Sequence, residues 1–283
     1  MPSLASALSY DFIRHALLAG VLASALCGVV GTFVVVKRVS FLAGGLSHAA
    51  FGGLGLCFFL GINPLWGAIA VSLASAILLG LMDTEKVKSH DALIGVLWAA
   101  GVAVGIAFVY WTPGYAPNLM TYLFGNILLV TRADVLITLI LTVVVLAILL
   151  AFGKGFVAVA FDEVFARVQG APVRLLWTLL LVLVALTVVV LIQVVGILLV
   201  IALLTIPPVV ALMIFKDLPR VLAASVVLGI AMTLAGLAVS YYGDLPSGPA
   251  IVLLGTGLLL AVYTVQRWRG RSLRLLAPQK PQG

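Results

Sequence analysis

The chain has 283 residues, of which 64% are hydrophobic and 9% charged, with a formal net charge of +7 and a mean hydropathy of +1.31. This composition excludes a soluble globular protein: many windows of about 18 residues carry almost no charge, as membrane-spanning helices do. The positive charge does not mark a nucleic-acid binder, because Lys and Arg cluster on one side of the predicted membrane segments.

Spans are predicted near 12–36, 41–60, 65–82, 92–111, 133–152, 173–191, 194–215, 221–241 and 249–266. The first exceeds the apolar core of a signal peptide and lacks a clear cleavage site, so it is expected to stay and to target the chain to a membrane. Cys27 and Cys57 fall within apolar spans without CxxC spacing and read as buried thiols. His15 and His90, near span ends, read as ordinary interfacial or exposed residues.

The second span opens after Lys37-Arg38-Val39-Ser40 and carries His48 in its middle. An ionisable side chain at bilayer depth is costly and faces the bundle interior or a pathway. On a helix, Gly44 and Gly52 lie one turn either side of His48, and Gly45 and Gly55 border the same face. Such small residues let another helix approach, so His48 is expected on a protein-packed face. Two roles stay open for it: a hydrogen bond between packed helices, or a ligand along a pathway.

The stretch 118–130 is too short to span and fits a re-entrant or outer-surface helix. If it does not cross, nine spans put the N-terminus outside and the C-terminus inside. All 16 basic residues except Arg14 and Arg132 then lie inside or at an inner span edge.

Within the inner segment 153–172, Gly153-Lys154-Gly155 reads as the end of one span. Asp162 to Gly170 reads as a short helix, acidic in its first turn, with Arg167 in its last turn and Gly170 closing it. It is either a docking knob or an ordinary connecting helix.

The apolar run 175–215, about forty residues, is twice a spanning length and needs a tight turn, placed at Gln193 and Gly196. Pro207-Pro208 predicts a kink or a local break in hydrogen bonding. In the outer loop 241–249, Asp244 is the one acid. It either attracts cations at a pore mouth or is a solvated turn residue.

No phosphate-binding GxxxxGK[ST] loop, His-Glu-x-x-His, GxSxG or pair of intramembrane carboxylates occurs. Any use of ATP belongs to another subunit, and an intramembrane enzyme would lack a nucleophile with its base.

These residues resemble a known family, the permease subunits of zinc and manganese ATP-binding-cassette importers. The resemblance rests on an ordered set over about residues 12–266. It comprises Lys37-Arg38-Val39-Ser40-Phe41, Leu46-Ser47-His48-Ala49, Gly61-Ile62-Asn63-Pro64 and Asp91-Ala92-Leu93-Ile94-Gly95, followed by Leu119 to Val130 with Asp134. Asp162-Glu163, Phe165-Ala166, Gly170 and Asp244-Leu245-Pro246-Ser247-Gly248 complete it.

The resemblance implies an all-α integral membrane protein of the type II ABC importer kind, with about nine transmembrane helices, a short outer helix and a cytoplasmic coupling helix. Residues 1–283 would form one transmembrane permease domain, with 267–283 a basic cytoplasmic tail, in the cytoplasmic (inner) membrane of a prokaryote. It further implies a homodimer in the lipid bilayer, two cytoplasmic ATP-binding-cassette ATPase subunits and an extracytoplasmic metal-binding protein.

Asp162, Glu163, Phe165, Ala166 and Gly170 would dock in the ATPase. His48 would contact a zinc or manganese ion in transit, with Asp244 at the outer mouth and Gly44, Gly45, Gly52 and Gly55 packing helices. The chain would have no catalytic activity and no bound cofactor, ATP being held by the partner. In many members an aspartate lies one turn before this histidine; here that position is Gly44. One imidazole per chain is a poor divalent-metal site by itself. The rival readings are a permease for a metal chelate of the siderophore or cobalamin type, a non-transporting membrane scaffold, and an intramembrane enzyme.

Overall fold

A computed structural model of the chain describes residues 10–82, 90–113, 125 and 127–268. Those residues are helical apart from caps and turns. The helices are α1 (Asp11–Val36), α2 (Ser40–Phe59), α3 (Pro64–Leu81), α4 (His90–Trp111), α5 (Arg132–Ala151), α6 (Gly153–Phe161), α7 (Glu163–Val168), α8 (Val173–Val195), α9 (Ile197–Ile214), α10 (Leu218–Gly243) and α11 (Ser247–Trp268). Among the described residues, nine helices are long and apolar enough to cross a membrane. The expected outer helix at 118–130 falls largely outside the described residues, which there show a 3-10 turn at Ile127–Leu129. The inner segment 83–89 and the tail beyond Trp268 also lie outside them.

Local chemistry sets the boundaries. Asn63 caps α3, its side chain accepting from Leu65 N at 3.0 Å, with Pro64 at the first helical position. Thr131 and Asp134 form a reciprocal capping box at the start of α5. At the end of α1, Arg38 sits at φ 60. Its N–H donates to Val35 O and that of Val39 to Val34 O, the Schellman closure that glycine usually provides.

The long apolar run breaks at Gly196, whose φ of 84 is open to glycine. It alone separates α8 from α9. Gln193 lies not in the turn, as expected from sequence, but on an exposed face of α8, because the helical hydrogen bonds continue to Gly196 N–H, which donates to Ile192 O. The proline pair sits inside α9, which continues through it. Pro208 leaves Leu204 O without its helical donor. That carbonyl abuts Gly31 of α1, where a Cβ would come within 2.8 Å of Leu204 C.

A second correction concerns Gly153-Lys154-Gly155, which opens α6 and does not end a span. Phe156, Val159 and Ala160 are buried at helical spacing along it, and that apolar stripe holds the segment against the bundle.

Two sets of helices dominate the packing. In the first, α2 lies against α3 and α4, and α3 against α8; in the second, α1 lies against α9 and α10, with α11 beside both. The α1–α10 seam is polar at four-residue spacing. Ser24 Oγ and Thr233 Oγ1 are 2.8 Å apart and Thr32 Oγ1 donates to Ser225 Oγ at 3.1 Å, with Gly28 and Gly229 between the two pairs and Gly20 one turn beyond, against Thr233. Hydroxyl pairs on small-residue stripes hold helices together where lipid supplies no hydrophobic drive. Of the most apolar window of α2, 72% is buried, against 22% in α4 and in α11. His48 therefore belongs to an inner helix. By the positive-inside rule, the helix ends and connections carrying Lys37, Lys154, Arg167, Lys216 and Arg267 face the cytoplasm.

Candidate functional site

Gly44, Gly45, Gly52 and Gly55, the glycines expected on the His48 face of α2, all meet α4, whereas Gly53 meets Gly67 of α3. Gly45 abuts Ile94, Gly52 faces Gly101 O and Gly55 faces Gly105. A Cβ on Gly52 would lie 3.0 Å from Gly101 O, and one on Gly101 would lie 2.6 Å from Ala49 Cα. The two backbones thus touch along the stripe Ile94, Trp98, Gly101, Gly105, which repeats at helical spacing on α4.

His48 is half-buried within this seam. Its ring stacks on Trp98, with centroids 4.2 Å apart and planes at 16°, and Phe41 stacks on the same indole at 5.3 Å. Trp98 was not singled out in the sequence. The signal that could have found it is the α4 stripe, whose spacing mirrors the α2 glycines.

Trp98 also accounts for Gly44. A Cβ at residue 44 would lie 2.8 Å from Trp98 Cζ3, so the indole takes the room that a carboxylate side chain would need. Ser47, next to His48, turns the other way. It is fully buried, donates to Gly44 O at 2.7 Å and lines a small cleft with Phe51, Asn63 and Gln193 that joins the middle of α2 to the outer ends of α3 and α8. Among the described residues no three His, Cys, Asp or Glu side chains converge. His48 therefore offers one imidazole, stacked on the Trp98 ring.

The inner short helix α7 is built as its sequence suggests. Asp162 caps it, accepting from Phe165 N at 2.9 Å. Gly170 closes it at φ 81, its N–H donating to Arg167 O and that of Ala171 to Ala166 O.

The five residues assigned to it then separate by direction. Phe165 is exposed together with Val164 and Val168, an apolar surface on the inner side. Ala166 is fully buried; it seats α7 on its own chain and is not available to a partner. Glu163 pairs with Lys37, whose Nζ also lies 5.4 Å over the Trp177 ring. Sequence reading named Lys37 and Glu163 separately and had no means of joining them across 126 positions.

Asp244 ends α10 in the left-handed region, φ 51, ψ 42, and is exposed. Ser240 Oγ closes this turn by donating to Leu245 O at 2.6 Å. Aspartate tolerates this conformation better than most residues, which is a sufficient reason for its place there.

Residues 9–266 match the ABC 3 transport family. The chain is 31% identical to the manganese transport system membrane protein MntC of Halalkalibacterium halodurans, covering 93% of each chain. It is 39% identical to an uncharacterised membrane protein of Synechocystis, over 90% of each. Among solved structures it resembles PsaBC from Streptococcus pneumoniae in complex with Fab, with a TM-score of 0.81 and 28% identity over 92% of this chain and 96% of that one. The chain is a multi-pass membrane protein and belongs to the ABC 3 transport family.

Proposed function

We propose that this chain is the permease subunit of an ABC importer that carries a divalent transition-metal ion into the cytoplasm. Zinc and manganese are the leading substrates and iron a further candidate. Two copies would flank the pathway. Each would bind a separate cytoplasmic ATPase through α7, and a metal-loaded binding protein would dock outside. ATP would be hydrolysed on the partner, and this chain would have no catalytic role.

The observation that carries the proposal is His48, an ionisable side chain on an inner helix of a metal-transport family member, stacked between packed helices and half accessible. A neutral imidazole suits zinc and accepts manganese less readily than a carboxylate would. With Gly44 on the preceding turn, the ion would be held loosely, keep part of its water shell and move on. The exposed apolar face of α7, Val164, Phe165 and Val168, supports the ATPase contact, and Asp244 would add one negative charge at the outer mouth. The relatedness to a manganese transport protein over nearly its whole length favours an ion over a metal chelate, a scaffold or an enzyme.

The test is uptake by vesicles containing the reconstituted complex, with zinc, manganese and iron each in competition with the others. Saturable uptake of at least one, dependent on ATP and the binding protein, is expected. Uptake of a metal chelate with none of the free ions would overturn the proposal.

A further inference from the structure

Residues 37–39 alone join α1 to α2, the helix that carries His48. This turn has no slack. Lys37 N–H donates to Phe33 O at 3.0 Å, Arg38 N–H to Val35 O at 2.9 Å and Val39 N–H to Val34 O at 3.0 Å. Val39 O already accepts from Leu42 N–H at 2.9 Å in the first turn of α2. Val39 therefore takes part both in the closure of α1 and in the opening of α2. Arg38 is held at φ 60, a conformation that a residue with a Cβ keeps only where its surroundings fix it. A shift at the inner end of α1 is thus passed on to α2.

The other end of the link is Glu163, the first residue of α7. Its carboxylate takes the Lys37 ammonium, which also lies over the Trp177 ring. Ala166, three residues on, is fully buried, so α7 cannot move without carrying the pair along or breaking it. The covalent route from α7 leads elsewhere, through residues 169–172 into α8, and α2 packs chiefly on α3 and α4. We infer that Lys37 is a positioning residue for transport: through Glu163 and the α1–α2 turn it passes movement of α7 to the helix that carries His48. The inference rests on the reading of α7 as the ATPase contact and of His48 as a pathway residue. Coupling between distant sites runs through ion-paired and rigid elements of this kind. The Lys37 side chain is 12% exposed, so the pair resists separation where a purely apolar contact would slide. Lys37 acts through α2, so its loss shows in how many ions move per ATP and not in which ion is held.

The test is the number of zinc or manganese ions imported per ATP hydrolysed by the complete complex in proteoliposomes. Lys37→Met keeps an apolar side chain over Trp177 without the charge, and should lower this ratio about fivefold. The exchange Lys37→Glu with Glu163→Lys should restore most of it. Two glycines inserted between Arg38 and Val39 leave the ion pair in place but loosen the turn. They should lower the ratio as Lys37→Met does, with the ATPase still bound. If import and hydrolysis fall in equal proportion in Lys37→Met, the pair only seats α7 and the proposal is overturned. An unchanged ratio in the insertion variant overturns it as well. Phe165→Asp, on the exposed face of α7, separates the two levels: it should lose the ATPase altogether. ATPase binding that survives Phe165→Asp, or a wild-type complex that imports neither ion, would remove the reading of the permease and this proposal with it.

Discussion

Lys37, at the inner end of α1, and Glu163, the first residue of α7, form an ion pair that bridges the bundle and the short inner helix. The Lys37 side chain is only 12% exposed against 35% for Glu163, so solvent screens the pair far less than it would a surface pair. Lys37 also lies over Trp177 of α8. One ammonium thereby connects α1, α7 and α8 at the place where α7 would meet a partner.

Removing the acid leaves a mostly buried ammonium without its counter-charge. Glu163→Gln should lower the thermal midpoint of the purified chain, by a loss of about 2 kcal/mol, and weaken co-purification with the ATPase. The exchange Lys37→Glu with Glu163→Lys should recover part of both. An unchanged midpoint in the single variant would show that the pair contributes no net stability.

His48→Ala should impair metal uptake while leaving the amount of folded protein unchanged, since the ring is half-buried and α2 is held by its glycine contacts. Trp98→Ala should impair uptake too, by freeing the imidazole, and Trp98→Phe, which keeps a stacking ring, should retain more activity. Initial rates over a range of metal concentrations check this. Unchanged uptake in His48→Ala would make His48 a packing residue.

The span pattern was legible because apolar length is a local property: all nine long helices and the closing of α7 at Gly170 follow from residues near in sequence. The direction of His48 was legible too, through its flanking glycines. What the sequence concealed was pairing over distance. Trp98 is one aromatic among many apolar residues until α4 is laid against α2, and Ala166 looks like any helix residue until α7 is seated. Gln193 seemed a turn residue because a polar side chain in an apolar run suggests a break, yet it tops an intact helix. α6 was missed because two glycines signal a stop, whereas the buried Phe156, Val159 and Ala160 outweigh them.

The vacancy at residue 44 makes a coupled prediction. Gly44→Asp alone should lower the yield of folded protein, because its Cβ would stand 2.8 Å from the Trp98 ring. Combined with Trp98→Ala, the same aspartate has room and lies one turn from His48, giving a carboxylate and an imidazole on one face. The double variant should retain zinc or manganese more tightly after desalting than wild type, measured by elemental analysis. Equal retention would show that the two side chains do not share an ion.

Close backbone contact between α2 and α4 predicts a sharp contrast among glycines. Gly101→Leu should abolish accumulation of folded protein, because its Cβ meets the Ala49 backbone at 2.6 Å and the helices cannot separate without losing the seam. Gly257→Ala, with nothing within 4 Å, should stabilise α11 by about 0.5–1 kcal/mol through helix propensity. Thermal unfolding in detergent distinguishes them, and a tolerated Gly101→Leu would mean that the α2–α4 contact is not needed for folding.

Orientation follows from charge and helix order together, and each can be checked at exposed turns. In a background lacking Cys27 and Cys57, cysteines replacing Gln169 and Asp217 should react with an impermeant maleimide only from the cytoplasmic side. Cysteines replacing Ile62 and Leu245 should react only from outside; all four parent residues are exposed. Three crossings (α3, α4, α5) separate Ile62 from Gln169, two (α8, α9) separate Gln169 from Asp217 and one (α10) separates Asp217 from Leu245, so one crossing too many or too few in any of these intervals would put at least one label on the wrong side. Gln169 carries the most weight. It follows α7 directly, and labelling there from outside would remove the ATPase contact.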